Sequence, residues 1–353
     1  TDRACRLRSG LLIVGIGLVG VAAVVVARHG ITDYDEGGYA YGGWLVWIQG
    51  WVPYRDFFTR VPPLLYYIYG LPQAIFGPSL LVARVTSIAF AGLSLGLAAM
   101  VARRLAGAWA AVLTVWLFAA SVVVMSYHFH AMALGITGAF VVLALLGLTW
   151  TARPVAGAYL SAAAIALMLL CRHDTAALAL GLMAALLAAV MVPLYRLAPD
   201  AVAYMLTVGR SAPADVRPQA FMIAETVSVS TVARALWLWV KYRAGILALL
   251  AGAVVLTWRG RRHGATVAWP GGTVLVLALG TAQVLACLAG VVALRYSPST
   301  LLYPFDYWPL AVGAVALFVS AARQAPRLAP AWRVPIATGA AAAVVVLGWG
   351  PHV

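Results

Sequence analysis

The feature that most constrains this chain is a series of apolar segments long enough to cross a membrane. The clearest is 10–28 (GLLIVGIGLVGVAAVVVAR), and 141–150 belongs to another run of the same kind. Hydrocarbon offers the backbone no hydrogen-bond partners, so a spanning segment must be a helix or a strand of a closed barrel. Neither run alternates between apolar and polar residues, and the spans are therefore predicted to be helices.

The composition supports this interpretation along the whole chain. Of the 353 residues, 64% are hydrophobic and 10% are charged, whereas soluble domains have about 45–50% and about 25%. The sequence predicts an all-α integral membrane protein with about 10–11 transmembrane helices. The candidate spans are 10–28, 81–102, 106–125, 131–150, 155–171, 175–195, 244–258, 268–294, 308–322 and 334–350. The chain begins at Thr1 rather than Met, and 10–28 is interpreted as a retained helix rather than a cleaved signal.

The arginines predict the orientation, because cytoplasmic loops carry an excess of basic residues. Arg3, Arg6 and Arg8 precede the first span, which places the N-terminus in the cytoplasm. The same rule places four further groups inside: Arg103/Arg104, Arg153, Arg259/Arg261/Arg262 and Arg323/Arg327/Arg333. Nine of the ten acids then fall outside, which supports the assignment. The net charge of +14 is accordingly ascribed to the membrane faces, and not to nucleic-acid binding.

The predicted topology is inconsistent in one place, because the number of spans between 155 and 244 does not match the sides assigned to the loops. Spans 155–171 and 175–195 return the chain to the cytoplasm, yet 244–258 requires 196–243 to be outside. Either a membrane segment near 175–200 is missing from the sequence, or one segment is re-entrant. The chain is otherwise predicted to be a single transmembrane domain over 1–353, with extracytoplasmic loops at 29–80 and 196–243.

The first of these loops holds the acids of greatest interest. Asp33, Asp35 and Glu36 lie just beyond a span, and the aromatic residues that follow predict interfacial helices. Asp35 and Glu36 are expected to start a helix that runs to about Gln49. Because neighbours on a helix point about 100° apart, only one of the pair is expected to face a given ligand. The acids either cap this helix or serve a function, and ionisable groups at a membrane edge favour function.

The order of motifs in this loop resembles a known class. The acidic pair is followed by PYRDFF, a basic residue before PPLLYY, and FGPSLLVARVTS. This order is similar to the GT-C membrane glycosyltransferases, more narrowly the protein O-mannosyltransferases and lipid A aminoarabinose transferases. The resemblance is strong over 29–105 and fainter over 126–175 and 297–310. It implies transfer of a sugar from a polyprenyl phosphate to a hydroxyl acceptor at the outer face.

The resemblance also implies roles for individual residues. One of Asp35 and Glu36 is the general base, with Asp33 beside them, and Arg60 binds the lipid phosphate. The phosphate is already a good leaving group, so the scheme requires arginine to neutralise charge rather than a strong acid or a metal. Attack from the opposite face predicts inversion, by analogy with inverting glycosidases. No cofactor is expected.

Two predicted outer turns supply further candidates. His128 and His130 stand in the turn 126–130, where many members of the class carry an aspartate, and they are candidate acceptor or donor contacts. The segment 171–174 stands where the class has a lysine–glycine pair. Arg172 is the candidate phosphate ligand, and His173 is a candidate acceptor or donor contact. The alternatives are inert interfacial histidines and an ordinary polar hairpin turn.

A late segment carries the last candidates. Arg295 and Tyr303 resemble residues that face the lipid carrier in the class, although an aromatic belt explains the tyrosine equally well. The sequence contains no P-loop, dinucleotide fingerprint, HExxH or GxSxG motif, so a nucleotide is not expected to be the direct donor. Its three cysteines form no metal-binding pattern.

Three hypotheses follow from this sequence. The first is a polyprenyl-phosphate-sugar glycosyltransferase; the second is a non-catalytic membrane subunit on the same scaffold, held in a complex; the third is a transporter or flippase. Predicted spans nearly free of ionisable residues argue against transport. High Ala and Arg usage with Lys241 as the single lysine favours a bacterial plasma (inner) membrane. The sugar and the acceptor are not encoded in any motif.

Overall fold

The computed structural model describes residues 2–28, 34–59, 61–172, 229–262, 269, 271–293 and 307–324. These residues form helices, with no strand among them apart from one isolated bridge between Pro53 and Phe57. The helices are α1 (Asp2–Arg28), α2 (Tyr34–Trp47), α3 (Leu64–Phe76), α4 (Leu80–Ala106), α5 (Ala108–Ala120), α6 (Val122–Phe129), α7 (Ala133–Leu148), α8 (Pro154–Cys171), α9 (Val229–Tyr242), α10 (Ala244–Arg262), α11 (Gly271–Ala293) and α12 (Tyr307–Gln324).

Four of these helices are long and apolar enough to cross a membrane. They are Ala4–Arg28 of α1, Leu80–Ala106, Pro154–Cys171 and Ala244–Arg262, and a fifth span results if α5 and α6 count as one. The predicted spans 175–195 and 334–350 lie outside the described residues. The total of about ten to eleven spans therefore stays a prediction, while the all-helical membrane class is confirmed.

The predicted straight span 106–125 is broken in the structure. Helices α5 and α6 meet at Ser121 with a bend of 82°, and Ser121 has non-helical dihedral angles. Its hydroxyl donates to the carbonyl of Leu117 at 2.6 Å, a bond back along the helix that often bends it. As a result 126–129, predicted as an outer turn, belongs to helix α6, and the turn falls at 130–132.

Helix α12 is the centre of the described bundle. Every residue from Tyr307 to Ala321 is buried, as expected of a helix that is apolar on all sides. It packs against α10, α11, α4, α5 and α7. Glycine allows the close approach to α11, because a Cβ atom at Gly280 would lie 2.7 Å from a methyl carbon of Leu310. Small residues at such contacts are characteristic of helix packing in membranes.

Helices α2 and α3 form a tightly packed pair that begins the candidate site. The helix predicted from Asp35 to about Gln49 is confirmed as α2, which ends two residues earlier at Trp47. Gly43 and Gly70 let the two backbones touch: a Cβ atom at Gly70 would overlap the carbonyl oxygen of Gly43. The indole nitrogen of Trp47 donates to the carbonyl of Tyr67 at 2.9 Å, which fixes the register of the pair.

This contact predicts that Gly70→Ala destabilises the protein by about 1–3 kcal/mol, because the added methyl group forces the two backbones apart. Gly92→Ala is the matched control: Gly92 is also helical, but a Cβ atom there meets nothing within 4 Å. The control should leave stability unchanged or raise it by up to about 1 kcal/mol. Unfolding of both variants in detergent measures the difference, and equal stabilities would show that the α2–α3 contact is looser than described.

Candidate functional site

A buried ion pair lies at the start of α2. Glu36 is fully buried and the side chain of Arg84, in the second turn of α4, is 1% exposed. The pair is bidentate: Arg84 Nε donates to Glu36 Oε1 at 2.6 Å, and Arg84 Nη2 donates to Oε2 at 2.7 Å. The backbone N–H of Ala131 also donates to Oε1, at 3.1 Å. Glu36 therefore joins α2 to α4 and to the 130–132 turn.

Arg84 extends this network to a further helix. Its Nη1 donates to the carbonyl of Val26 at 3.0 Å, one of the last carbonyls of α1, which have no partner within that helix. The guanidinium also complements the negative end of the helix dipole. Three helices and one turn are thus held by two side chains.

Sequence reasoning missed the role of Arg84. The residue is part of the FGPSLLVARVTS motif but was not predicted as a site residue. The signal was present, since a lone arginine near the start of a long apolar helix must find an acidic partner or a polar cavity. The partner is 48 positions away in the sequence, and nothing in the motif identifies it.

The environment of Glu36 sets its charge. Burial raises the pKa of this carboxyl, but the hydrogen bonds from Arg84 and from the Ala131 N–H, together with the neighbouring positive charge, lower it by more in sum, so that the pKa lies below its ordinary value. Glu36 is therefore ionised at neutral pH. A carboxylate with both oxygens bound in this way is a poor proton acceptor. Asp35 lies in the same first turn of α2 and is only partly buried.

His128 is a core residue of the bundle. It is fully buried, its Nδ1 lies 2.8 Å from the carbonyl of Val124, and its Nε2 accepts a hydrogen bond of 3.0 Å from the indole N–H of Trp308. The tautomer is therefore the one that carries its proton on Nδ1. Gly138 makes room for this contact, since a Cβ atom there would lie 2.9 Å from Trp308 Nε1. Neither nitrogen is left for the predicted contact with donor or acceptor.

His130 differs from His128 although it is only two residues away. Its Nδ1 donates to the carbonyl of Ser126 at 2.8 Å, and the residue is 8% exposed. Its Nε2 is buried and has no hydrogen-bond partner among the residues that the structure describes. The neighbouring Ala131 holds Glu36, so His130 belongs to the same network as the acidic pair.

A tyrosine-rich cluster brings the end of α8 to this network. Tyr69 of α3 donates its hydroxyl to the carbonyl of Met132 at 2.7 Å and shares a hydrogen bond of 2.8 Å with Ser87. Cys171 belongs to the same buried cluster, and Arg172 follows it in extended conformation with 4% exposure. Asp35, Glu36, His130 and Arg172 thus lie on the segments that meet around this cluster.

Five of the predicted site residues lie outside the part of the chain that the structure describes. Those outside the described residues are Asp33, Arg60, His173, Arg295 and Tyr303, and they stay predictions. No group of three or more potential metal ligands occurs in the described part of the chain.

Arg243 is a buried cation that the sequence analysis did not select. It is 2% exposed, lies directly before α10 and stacks over the ring of Trp239 at 5.1 Å. Its charge lies within electrostatic reach of Tyr307, whose hydroxyl is 3.3 Å from Ser121 Oγ. The signal in the sequence was a basic residue next to the start of an apolar run, which resembles ordinary membrane flanking and is not specific.

Comparison with known proteins supports the fold. No protein-family model matches the sequence, and no curated protein matches it significantly. Two solved structures match, both of ArnT from Cupriavidus metallidurans, each with 16% identity and 94% of this chain covered. The structure bound to undecaprenyl phosphate gives a TM-score of 0.62, and the apo structure gives 0.53.

This chain spans only 63% and 62% of the length of those two chains. At 16% identity the match establishes the fold and not the activity. ArnT is a lipid A aminoarabinose transferase, so the resemblance predicted from the first loop is confirmed at the level of fold. The class predicted from the sequence, an all-α integral membrane protein, is confirmed with it.

The buried ion pair predicts a large loss of stability in Glu36→Gln. This variant leaves the Arg84 guanidinium buried without its counter-ion, which costs about 3–5 kcal/mol. The control is Asp56→Asn, which removes the acid from the exposed Arg55–Asp56 pair and should change stability little. Unfolding in detergent measures both variants, and a Glu36→Gln protein as stable as Asp56→Asn would contradict the structural role of the pair.

The lowered pKa of Glu36 predicts a pH dependence of its contribution. A carboxyl whose pKa is lower in the folded protein than in the unfolded chain stabilises the fold above the unfolded value, here 4.5, and this contribution disappears as pH falls through the folded value. The stability difference between wild type and Glu36→Gln should therefore be constant from pH 7 to about pH 5 and shrink below it. Melting temperatures of both proteins across this range test the prediction. A stability difference that grows as the pH falls below 5 would contradict it.

Proposed function

We propose that this chain transfers a sugar from a polyprenyl-phosphate donor to a hydroxyl acceptor at the extracytoplasmic membrane face, with inversion and with Asp35 as the general base. The observation that carries the assignment is the ion pair in the first turn of α2, in which Arg84 binds both carboxylate oxygens of Glu36. The fold shared with ArnT, one structure of which holds undecaprenyl phosphate, supports the lipid donor.

The proposed reaction moves one proton and exchanges one bond. Asp35 takes the proton of the acceptor hydroxyl, and the oxygen of that hydroxyl attacks the anomeric carbon of the sugar. The bond from the anomeric carbon to the phosphate oxygen breaks at the same time. Charge develops on the departing phosphate, and the polyprenyl phosphate remains in the bilayer. Asp35 lies in the first turn of α2, next to the residue that the ion pair holds in place.

Arginines are proposed to bind the phosphate. Arg172 is buried at the end of α8, where low polarity strengthens its attraction for an anion. Arg60, Arg295 and Tyr303 join it in the proposal on the basis of sequence alone. A guanidinium binds two phosphate oxygens at once, and it neutralises the charge that develops as the phosphate departs.

The ion pair has a supporting role in this scheme. Glu36 and Arg84 fix the first turn of α2 against α4 and the 130–132 turn. The direction of Asp35 is thereby set, because adjacent residues of a helix differ by about 100° around its axis. Glu36 is thus proposed as a positioning residue, and its loss should lower activity chiefly by lowering the fraction of folded protein.

The orientation predicted from the arginines completes the proposal. With the N-terminus in the cytoplasm, the end of α1 and the start of α2 lie at the outer face of a bacterial plasma membrane. A topology reporter fused to the chain at residue 50 would test that orientation directly. A cytoplasmic location would move the site to the side where nucleotide sugars are available and would overturn the lipid-linked donor.

The base assignment predicts that Asp35→Asn lowers kcat by about 10²- to 10⁴-fold without loss of folding. The measurement is transfer of radiolabelled sugar from total polyprenyl-phosphate donors in membranes, with the melting temperature of each variant determined alongside. Asp56→Asn is the control, since Asp56 is bound to Arg55 on the surface and should retain wild-type activity.

Two outcomes would contradict this proposal. An active Asp35→Asn beside a folded but inactive Glu36→Gln would assign the base to Glu36. Absence of transfer by the wild-type chain with every lipid donor would favour the non-catalytic membrane subunit, and isolation of the intact complex would then be the next step.

A further inference from the structure

The imidazole of His130 is held in one tautomer. Its Nδ1 lies 2.8 Å from the backbone carbonyl of Ser126, a group that only accepts hydrogen bonds, so Nδ1 carries the proton of the neutral ring. The hydroxyl of Ser126 lies 3.2 Å from the same nitrogen. Nε2 therefore presents a lone pair and acts as an acceptor, in the arrangement by which a backbone carbonyl commonly orients a functional histidine.

The backbone around this ring is fixed as firmly as the side chain. The N–H of His130 donates to Ser126 at 3.1 Å, and its carbonyl accepts from Met132 at 2.6 Å. The next N–H, that of Ala131, donates to Glu36. The position of Nε2 is therefore tied to the same ion pair that positions Asp35.

The buried nitrogen requires a partner that the described residues do not provide. Nε2 is enclosed, and no hydrogen bond to it occurs within the described part of the chain. Leaving a buried acceptor unpaired costs stability, and nearly all such groups in native proteins are paired. His128 shows the contrast, because there Trp308 supplies the missing donor.

We propose that His130 is a substrate-contacting residue whose Nε2 accepts a hydrogen bond from a hydroxyl group of the transferred sugar or of the acceptor. This inference rests on the proposed function, whose sugar and acceptor both carry hydroxyl groups. Access of the hydroxyl to the buried Nε2 requires side-chain rotations at the edge of the ring, a scale of change that is common on binding. Asp35 acts as the base, and His130 binds and orients.

Two substitutions distinguish the contributions of Nδ1 and Nε2. His130→Asn retains a donor near Nδ1 for the Ser126 carbonyl and removes the group at Nε2, whereas His130→Gln retains an acceptor near Nε2. We expect His130→Asn to fold like wild type and to lose about 5- to 10-fold in kcat/KM, the worth of one hydrogen bond. His130→Gln should lose less, about 2-fold.

His128→Asn is the matched control two residues away. It removes the acceptor of the Trp308 N–H bond in the core, so its melting temperature should fall while kcat/KM of the folded fraction stays at the wild-type value. A His130→Asn variant that instead behaves like His128→Asn, with lower stability and unchanged kcat/KM, would overturn the proposal and make His130 structural.

The source of the hydroxyl is found by varying one substrate at a time. A rise in KM for the lipid donor at saturating acceptor assigns the hydroxyl to the transferred sugar. A rise in KM for the acceptor at saturating donor assigns it to the acceptor. If neither value of KM rises and kcat alone falls, then Nε2 takes part in proton transfer rather than binding, and the proposal fails.

A second readout does not depend on turnover. In protein labelled with ¹⁵N-histidine, the NMR signals of His130 are identified by their loss in His130→Gln. The donor-side probes are undecaprenyl-phosphate mannose, glucose and arabinose. Each of these sugars alone is the acceptor-side probe. A shift of Nε2 with an unchanged Nδ1 supports the proposal even if no transfer occurs, in which case only the proposed function fails. No shift with any probe overturns the inference, whether or not the wild-type protein transfers sugar.

Discussion

The buried pair of Glu36 and Arg84 is the interaction on which the rest of the site depends. Removing two charges from water is costly, and only good geometry with further hydrogen bonds offsets the cost. Both conditions are met, since the pair is bidentate and each partner also binds backbone, Glu36 at Ala131 and Arg84 at Val26. Such a pair favours one arrangement strongly over others, because a displaced α2 would leave an unpaired charge inside the protein.

Two adjacent acids can take different roles for this reason. Glu36 faces α4 and is occupied by Arg84, while Asp35 points elsewhere on the same turn. The histidines repeat the division: His128 faces the core and Trp308, and His130 has one nitrogen fixed by Ser126 and the other without a partner among the described residues. In both cases two neighbouring side chains of similar chemistry have different surroundings.

The sequence predicted the parts of this protein that depend on local pattern. Apolar runs identified α1, α4 and α8, and the Asp-Glu pair located the start of α2. It did not predict the break at Ser121, because a serine hydroxyl bonds back along a helix only in some surroundings. The pairing of Glu36 with Arg84 was also out of reach, since two residues 48 apart leave no periodic signal. His128 and His130 looked equivalent in SYHFH, and only tertiary packing separates them.

Helix α12 has a consequence for how the chain is assembled. It is the last described helix, yet its residues from Tyr307 to Ala321 are all buried and it touches α4, α5 and α7, which are synthesised much earlier. At about 5–20 residues per second, on the order of ten seconds or more separate α6 from α12 on the ribosome. During this interval the early helices have no α12 between them, and His128 has no Trp308. The first half of the protein is therefore synthesised before the helix that completes its packing.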